Sequence, residues 1–189
     1  MILFNKPYGV LCQFSADGSG KPTLKDFVPV PHVYPAGRLD VDSEGLVILT
    51  EDGTLQARIA NPRHRLPKTY WAQVEGAPGP AQIAALVAGV ALREFVCAPI
   101  RARVIDTPPG LWPRDPPIRV RRAIPTHWLE LVLHEGKNRQ VRRMTAAVGL
   151  PTLRLIRWAI GPWTLEGLAT GVARIETPSP RVLSSPPPR

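Results

Sequence analysis

Short strand-like stretches alternate with short helix-like stretches along this chain, and no regular strand–helix–strand repeat connects them. Residues 68–75, KTYWAQVE, alternate apolar and polar side chains as a half-buried strand does, and so do residues 127–133. Parallel sheets are built from regular βαβ units, which this pattern does not contain. We therefore predict an α+β fold with a largely antiparallel sheet.

Further strands and helices follow from hydrophobic periodicity and from helix start and stop signals. Strands are predicted at 2–4, 45–50 and 152–160, and helices at 54–60, 80–90 and 138–148. Thr23 is predicted to be the N-cap of a short helical turn. Residues 107–118 predict an exposed proline-rich loop, and the proline-rich residues 179–189 predict a disordered tail.

The positive charge of the chain is concentrated in one segment. The 189 residues include 24 Lys or Arg and 15 Asp or Glu, a formal net charge of +9. Residues 119–157 hold nine basic and two acidic side chains, so this segment alone carries +7. Such clustering indicates a polyanionic partner. Arginine outnumbers lysine 19 to 5, which favours bidentate phosphate contacts and stacking on bases.

Several protein classes are excluded by composition. Two cysteines, Cys12 and Cys97, are too few for a disulfide-stabilised scaffold of this length. We interpret both as small buried apolar residues. The longest aliphatic stretch, residues 83–92, is far shorter than the roughly 20 residues of a membrane span. The N-terminal residues lack the basic and long apolar regions of a signal peptide. We predict a soluble, cytoplasmic protein that does not associate with membranes.

Five carboxylates lie close together in the segment AGRLDVDSEGLVILTEDG: Asp40, Asp42, Glu44, Glu51 and Asp52. Their spacing fits an EF-hand calcium loop, but the proline-rich residues before them cannot form the entering helix that an EF-hand needs. A two-metal nuclease site is harder to exclude, although such sites usually draw their carboxylates from distant segments. We expect most of these side chains to be solvated turn residues.

Asp40 is the candidate for chemistry in this segment. It follows Arg38 closely and precedes an apolar strand, so we expect it at a strand edge beside a fixed cation. Such a cation keeps a carboxylate ionised and in place, as a nucleophile or general base requires. A purely structural Arg–Asp pair explains the same residues, and the local sequence leaves both interpretations open.

The predicted helix 138–148 has two distinct faces. Its apolar stripe, which we expect in the core, comprises Val141, Met144, Thr145 and Val148. Arg139 and Arg143 lie opposite that stripe and are candidates for phosphate binding, although solvated surface arginines would look the same. Arg142 flanks the stripe and could reach a half-buried acid.

The sequence lacks the motifs of several other catalytic mechanisms. The chain contains no G-x-S-x-G nucleophile elbow, no Walker motif and no G-x-G-x-x-G loop. Its four histidines lack metal-ligand spacing with each other or with cysteine, so we predict no zinc site. Most of the five tryptophans are expected in the core.

Four motifs, in order and suitably spaced, resemble the RsuA-type family of ribosomal RNA pseudouridine synthases: AGRLDVDSEGLVILTEDG, KTYWAQVEG, HEGKNRQVRRM and LRLIRWAIGPWTLEGL. The resemblance runs from FNKP near the start to about residue 175. FNKPYGVLCQF and LWPRDPPIR resemble a branch of that family that modifies large-subunit ribosomal RNA. The resemblance implies a mixed, mainly antiparallel sheet in two sub-domains that flank a catalytic cleft. It also implies a cofactor-free isomerase that acts on a flipped-out uridine.

The resemblance also implies site residues. Asp40, in GRLD, would be the essential catalytic aspartate, and Tyr70, in KTY, would stack on the target base. Arg142, in QVRRM, would pair with Asp40 and hold a backbone phosphate. The remaining substrate-binding candidates are Arg38, Lys68 and Leu155, together with the two outward arginines of the predicted helix.

Many members of this family begin with a small S4-like RNA-binding domain, whereas the matching motifs here start at residue 4. We therefore expect residues 1–178 to form the catalytic domain alone, acting as a monomer on one uridine of 23S ribosomal RNA. The RNA could be naked or part of a pre-ribosomal particle. The alternative functions are a non-catalytic ribosomal RNA-binding or assembly protein with the same fold, and a carboxylate-dependent nuclease.

Overall fold

The structure, a computed structural model, describes residues 1–119 and 121–178, and the tail predicted to be disordered lies outside these residues. The chain divides into two compact units. The first unit comprises residues 1–66 and the chain from Arg157 onwards, and the second is the continuous segment 67–156.

The strands and helices are short. The strands are β1 (Ile2–Lys6), β2 (Tyr34–Pro35), β3 (Glu44–Thr50), β4 (Lys68–Glu75), β5 (Arg101–Ile105), β6 (Thr126–Leu133), β7 (Thr152–Ile160), β8 (Trp163–Thr164) and β9 (Ala173–Ile175). The helices are α1 (Gly53–Ala60), α2 (Pro80–Ala88) and α3 (Gln140–Ala147), with single 3-10 turns at Leu24–Asp26 and Pro62–His64. None of the helices in the part of the chain described here is long and apolar enough to cross a membrane.

In the first unit the strand order is β7-β3-β1-β9, with β2 beside β3 and β8 beside β7. Strand β1 lies antiparallel to β3, with Phe4 opposite Val47, and antiparallel to β9, with Ile2 opposite Ile175. Both β1 and β3 are buried along their whole length, which explains their almost continuously apolar sequences. Their side chains form the core of this unit.

Helix α1 begins directly after β3 because Asp52 caps it. Its carboxylate accepts hydrogen bonds from the backbone amides of Thr54, at 2.8 Å, and Leu55, at 3.1 Å. One of the five clustered carboxylates is thus a helix cap, a structural function typical of aspartate at this position. The helix ends at Asn61, as the following proline predicts.

In the second unit the strand order is β5-β6-β4-β7. Strand β6 is antiparallel to both of its neighbours, with Leu131 opposite Tyr70 of β4 and opposite Ala102 of β5. Val141, Met144 and Thr145 of the predicted apolar face of α3 are buried. The helix is shorter than the predicted 138–148, so Val148 follows its last residue and is half-buried. The predicted α+β fold with a mixed, mostly antiparallel sheet is confirmed.

The predicted interior residues are mostly confirmed as well. Both cysteines are free and buried, and burial raises the pKa of the Cys97 thiol. Trp71, Trp128 and Trp163 are buried, whereas the other two tryptophans are half-buried. Helix α2 is shorter than the predicted 80–90, since it ends at Ala88.

Candidate active site

Asp40 lies in the loop that leads into β3 of the first unit, and its side chain is half-buried. We define residues 38–43 as the Asp40 loop. The backbone of this loop is held by hydrogen bonds at Asp40 and at the next residue. The Asp40 carbonyl accepts one from the Ser43 amide at 3.0 Å, and the Val41 carbonyl accepts one from the Gly9 amide at 2.8 Å. Asp40 thus lies on a fixed backbone just before β3, while Arg38 is exposed.

Lys6, from the FNKP motif, is completely buried beside this loop. Its ammonium group donates hydrogen bonds to the carbonyls of Pro7, at 2.9 Å, and Val10, at 2.8 Å. These bonds fix the turn that carries the Gly9 amide. Burial lowers the pKa of Lys6 to about 8, although nearby acidic groups including Glu44 and Asp42 partly oppose that shift.

Arg157 supports the Asp40 loop from β7. It is 3% exposed, and its guanidinium donates to the Leu46 carbonyl through Nε, at 2.8 Å, and to the Arg38 carbonyl through Nη1, at 3.4 Å. Sequence analysis missed both Lys6 and Arg157 as parts of the site. The available signal was a basic residue inside an otherwise apolar strand, where a buried cation needs specific partners.

In the second unit, Lys68 and Tyr70 lie two residues apart on β4, so they share one face of the strand. Both are nearly buried, at 8% and 9% exposure. Leu155, on β7, is 5% exposed. The structure therefore places the predicted stacking residue on a rigid strand, next to a buried lysine on the same face.

Helix α3 is preceded by a tightly bonded turn. Arg139 at its N-cap has a left-handed backbone, with φ of 50°. Glu135 accepts hydrogen bonds from the Ala98 amide at 2.9 Å and from the Gln140 side chain, and it pairs with Lys137 at 3.1 Å. Burial raises the pKa of Glu135, but these bonds outweigh it and lower the pKa overall. The turn therefore holds the arginines of α3 in a fixed register.

The three predicted arginines of this helix have different surroundings. Arg139 is exposed. Arg143 is half-buried, forms an ion pair with Glu94 at 3.1 Å and lies 5.7 Å from the ring centre of Phe95. Arg142 is also half-buried, and its Nη1 donates to the Thr152 carbonyl of β7 at 3.2 Å. Arg139 is thus exposed as predicted, whereas Arg142 and Arg143 are both half-buried, and the roles of all three stay predictions.

The positive surface is smaller than the sequence count suggests. Of the nine basic residues in 119–157, Arg154 and Arg157 are buried, at 7% and 3% exposure. Arg154 donates to the Trp112 carbonyl at 3.0 Å and lies 5.6 Å from that ring. Arg121 forms an ion pair with Glu75 at 2.8 Å. Counting charges along the chain could not separate these structural arginines from surface ones.

The clustered carboxylates do not form a metal site. Among residues 1–119 and 121–178, no group of three or more His, Cys, Asp or Glu side chains is placed to hold a metal ion. Glu44 is buried, Asp52 caps α1 and Glu51 is exposed. Their separate surroundings give the nuclease interpretation no support.

The eight predicted site residues fall in both units. Asp40 and Arg38 belong to the first, and the second contains the other six: Lys68, Tyr70, Arg139, Arg142, Arg143 and Leu155. A sequence model of the family described as RNA pseudouridylate synthase matches residues 1–147. The chain belongs to this family.

Relatives and solved structures agree with this pseudouridine synthase assignment. A protein of Xanthomonas axonopodis pv. citri (strain 306), named ribosomal large subunit pseudouridine synthase E, is 60% identical over 171 residues, which cover 89% of this chain and 90% of that protein. A Xanthomonas campestris pv. campestris protein of the same name is 56% identical over 178 residues, or 93% and 95% of the two chains. The predicted family and branch are confirmed.

A solved structure gives the same result for the fold. A structure described as the crystal structure of pseudouridylate synthase superposes with a TM-score of 0.76 at 31% sequence identity. The superposition covers 93% of this chain and 69% of the other. The chain is thus a pseudouridine synthase in sequence and in fold, while the roles of its individual residues remain predictions.

Proposed function

We propose that this pseudouridine synthase isomerises one specific uridine of 23S ribosomal RNA, with Asp40 as the catalytic carboxylate and without a cofactor or metal ion. Support for the RNA class comes from relatives that are 56–60% identical and are named as large-subunit synthases. The reaction breaks the bond from N1 of the base to C1′ of the sugar and forms a bond from C5 to C1′. The C5 proton leaves and N1 gains a proton, so the product is an isomer.

The observation that carries this proposal is the placement of Asp40. It is half-buried, and the carbonyls of Asp40 and Val41 both accept backbone hydrogen bonds. A carboxylate that acts at C1′, or removes a proton from the sugar, must be held at one position relative to the substrate. Fixing the backbone at Asp40 and at the next residue reduces the freedom of the side chain.

The second unit supplies candidate groups for the flipped base and the RNA backbone. Extracting a base costs a few kcal/mol, which aromatic stacking and phosphate contacts can offset. Tyr70 offers an aromatic ring on a rigid strand, and Leu155 an apolar surface. Arg142 would hold a phosphate and Lys68 would contact the substrate, and Arg38 of the first unit is a further candidate for substrate contact.

Arg139 and Arg143 are proposed to bind phosphates that flank the target. Arg139 is exposed, and the Arg143–Glu94 ion pair is open to solvent, with side-chain exposures of 35% and 59%. Ion pairs of this kind add little stability, so a phosphate can replace the glutamate at small cost. We propose that the protein acts in the cytoplasm as a monomer, on ribosomal RNA alone or in a pre-ribosomal particle.

The proposal is tested by tritium release from large-subunit ribosomal RNA that contains 5-tritiated uridine, with EDTA present. We expect close to one equivalent of tritium per RNA from the wild-type protein and none from Asp40→Asn. Asp52→Asn is the matched control. It makes the same chemical change in the same segment, and asparagine caps a helix as well as aspartate does, so release should match the wild type.

Each outcome separates the candidate functions. Equal release by Asp40→Asn and the wild type would refute the catalytic assignment. RNA cleavage that EDTA abolishes would indicate a nuclease. If naked RNA gives no release, the assay is repeated on partly assembled large-subunit particles. RNA binding without release on either substrate would favour the non-catalytic assembly protein.

A further inference from the structure

Arg157 is a charged side chain in a place where charge is costly. It lies in β7 within the apolar sequence TLRLIRWAI and is 3% exposed. Removing a guanidinium from water is offset only where its donors find well-placed partners. Both of its observed partners are main-chain carbonyls, those of Arg38 and Leu46.

These two carbonyls lie on opposite sides of Asp40 in the sequence. Nη1 donates to Arg38, two residues before Asp40, and Nε donates to Leu46, six residues after it. The guanidinium is planar and rigid, so the two bonds fix the separation of the two carbonyls. A lysine ammonium carries the same charge, but it has no rigid pair of donors that could fix the separation of the two carbonyls.

Gly45 permits this arrangement. Its backbone has φ of +109°, and a Cβ atom built on it would lie 2.4 Å from the Arg157 carbonyl oxygen and 2.8 Å from the Arg157 nitrogen. Any other residue would push the start of β3 away from β7. Gly45 thus lets the backbone at the start of β3 approach Arg157, whose guanidinium bonds one carbonyl on each side of Asp40.

The third nitrogen of the guanidinium indicates that stability alone does not explain this arginine. Nη2 is buried and has no hydrogen-bond partner within residues 1–119 and 121–178. A buried donor without a partner is destabilising.

We propose that Arg157 is a positioning residue, which acts through the main chain to hold Asp40 at the distance that the reaction requires. This inference rests on the proposed role of Asp40. Arg157 touches neither the substrate nor the reacting atoms in this scheme. Its effect arises because a displacement of about 1 Å at a reacting group can slow a reaction about 100-fold.

The test compares Arg157→Lys with Arg174→Lys. Arg174 is a matched control because it lies in the same unit and also donates to a backbone carbonyl, that of Glu166 at 3.1 Å, far from the Asp40 loop in sequence. Single-turnover tritium release is measured with enzyme in saturating excess over RNA. We expect the rate constant to fall about 10- to 100-fold in Arg157→Lys and to stay within about twofold of the wild type in Arg174→Lys.

This measurement separates positioning from stability. A variant that is merely unstable has fewer active molecules, but its rate constant at saturating enzyme is that of the wild type. RNA affinity should be unchanged within about twofold in both variants. A wild-type rate constant in folded Arg157→Lys overturns the proposal. If that variant does not fold, Arg157→Gln is used under the same criteria, and failure of both to fold also overturns it.

A second measurement does not depend on activity. Amide hydrogen exchange in a peptide covering residues 38–46 should accelerate in Arg157→Lys but not in Arg174→Lys, since the loop loses its two-point attachment. Unchanged exchange overturns the positioning role whatever the activity. If the wild type releases no tritium, or Asp40→Asn retains full release, the proposed function fails, while the exchange result still shows whether Arg157 fixes the loop.

Discussion

Near Asp40, two cations of the first unit are hidden from water and donate to main-chain carbonyls, whereas at α3, two cations of the second unit face a carboxylate, an aromatic ring and solvent. Lys6 and Arg157 represent the first arrangement, and Arg139 and Arg143 the second. The same residue types thus occur in two different surroundings. The buried cations bond to the backbone, while the exposed ones are the proposed phosphate contacts.

The largest loss of stability is expected from a substitution at Gly45, where β3 approaches Arg157. We expect Gly45→Ala to lower the free energy of unfolding by about 3 kcal/mol or more, because the new methyl group meets the Arg157 backbone and the residue keeps an unfavourable φ. Gly37→Ala is the control: its φ is +83°, but a Cβ there meets nothing within 4 Å, so it should cost only about 1–2 kcal/mol. Urea unfolding measures both, and equal losses would contradict the close approach.

The buried charge of Lys6 should appear as a pH dependence of stability. Its pKa is lowered to about 8 in the folded protein, so the unfolded chain binds the proton more tightly. As the pH rises from 8 to 10.5, the unfolded chain retains a proton that the folded protein has lost. The free energy of unfolding should therefore rise by about 3 kcal/mol from this group.

That contribution is isolated by comparing the wild type with Lys6→Met in urea at several pH values. The stability of the wild type relative to Lys6→Met should increase across this window and stay constant below pH 8. Lys25→Met, which removes an exposed lysine of the same unit, should show no such trend. A flat difference for Lys6→Met would mean that its ammonium is not desolvated.

The exposed arrangement is tested through the salt dependence of RNA binding. The double variant Arg139→Ala with Arg143→Ala should weaken binding about tenfold and reduce the slope of log affinity against log salt by about 0.7 for each lost phosphate contact. The control is Arg103→Ala, since Arg103 is an exposed arginine of the same unit that pairs with Glu130 at 2.8 Å. An unchanged slope in the double variant would place the phosphates on another surface.

The smallest effect is expected at Glu94, which competes with phosphate for Arg143. Glu94→Gln should strengthen RNA binding by about twofold, because solvent-exposed ion pairs contribute less than about 1 kcal/mol. Glu166→Gln, at an exposed carboxylate of the first unit, controls for the change in net charge. Weaker binding of Glu94→Gln would show that the glutamate orients Arg143 for RNA.

Sequence alone predicted the regular parts of both units. The bounds of β4 and β7 agree with the structure because their patterns are bordered by clear turn signals. Strand β5 escaped detection because RARVI is polar and largely exposed, and β9, at three residues, is too short to give a periodic signal. The sheet and its buried face were predictable, but its outer strands were not.

The residues of the candidate site were also only partly predictable from the sequence. The resemblance assigned Asp40, Tyr70 and Arg142 from motifs, and periodicity alone identified the two faces of α3. The main-chain partners of Arg157 were not predictable, because they are more than 100 residues away in the chain. A residue that bonds the main chain leaves no complementary side chain for a sequence pattern to reveal.

The approach of β3 to β7 at Gly45 also has a consequence for synthesis of the chain. The first unit needs residues from 157 onwards, so its opening 66 residues wait until residues 67–156 have been translated. At about 5–20 residues per second, that interval lasts about 5 to 18 s. Until then Phe4 and the apolar β3 lack one of their neighbours in the sheet, so their apolar side chains remain exposed on the growing chain.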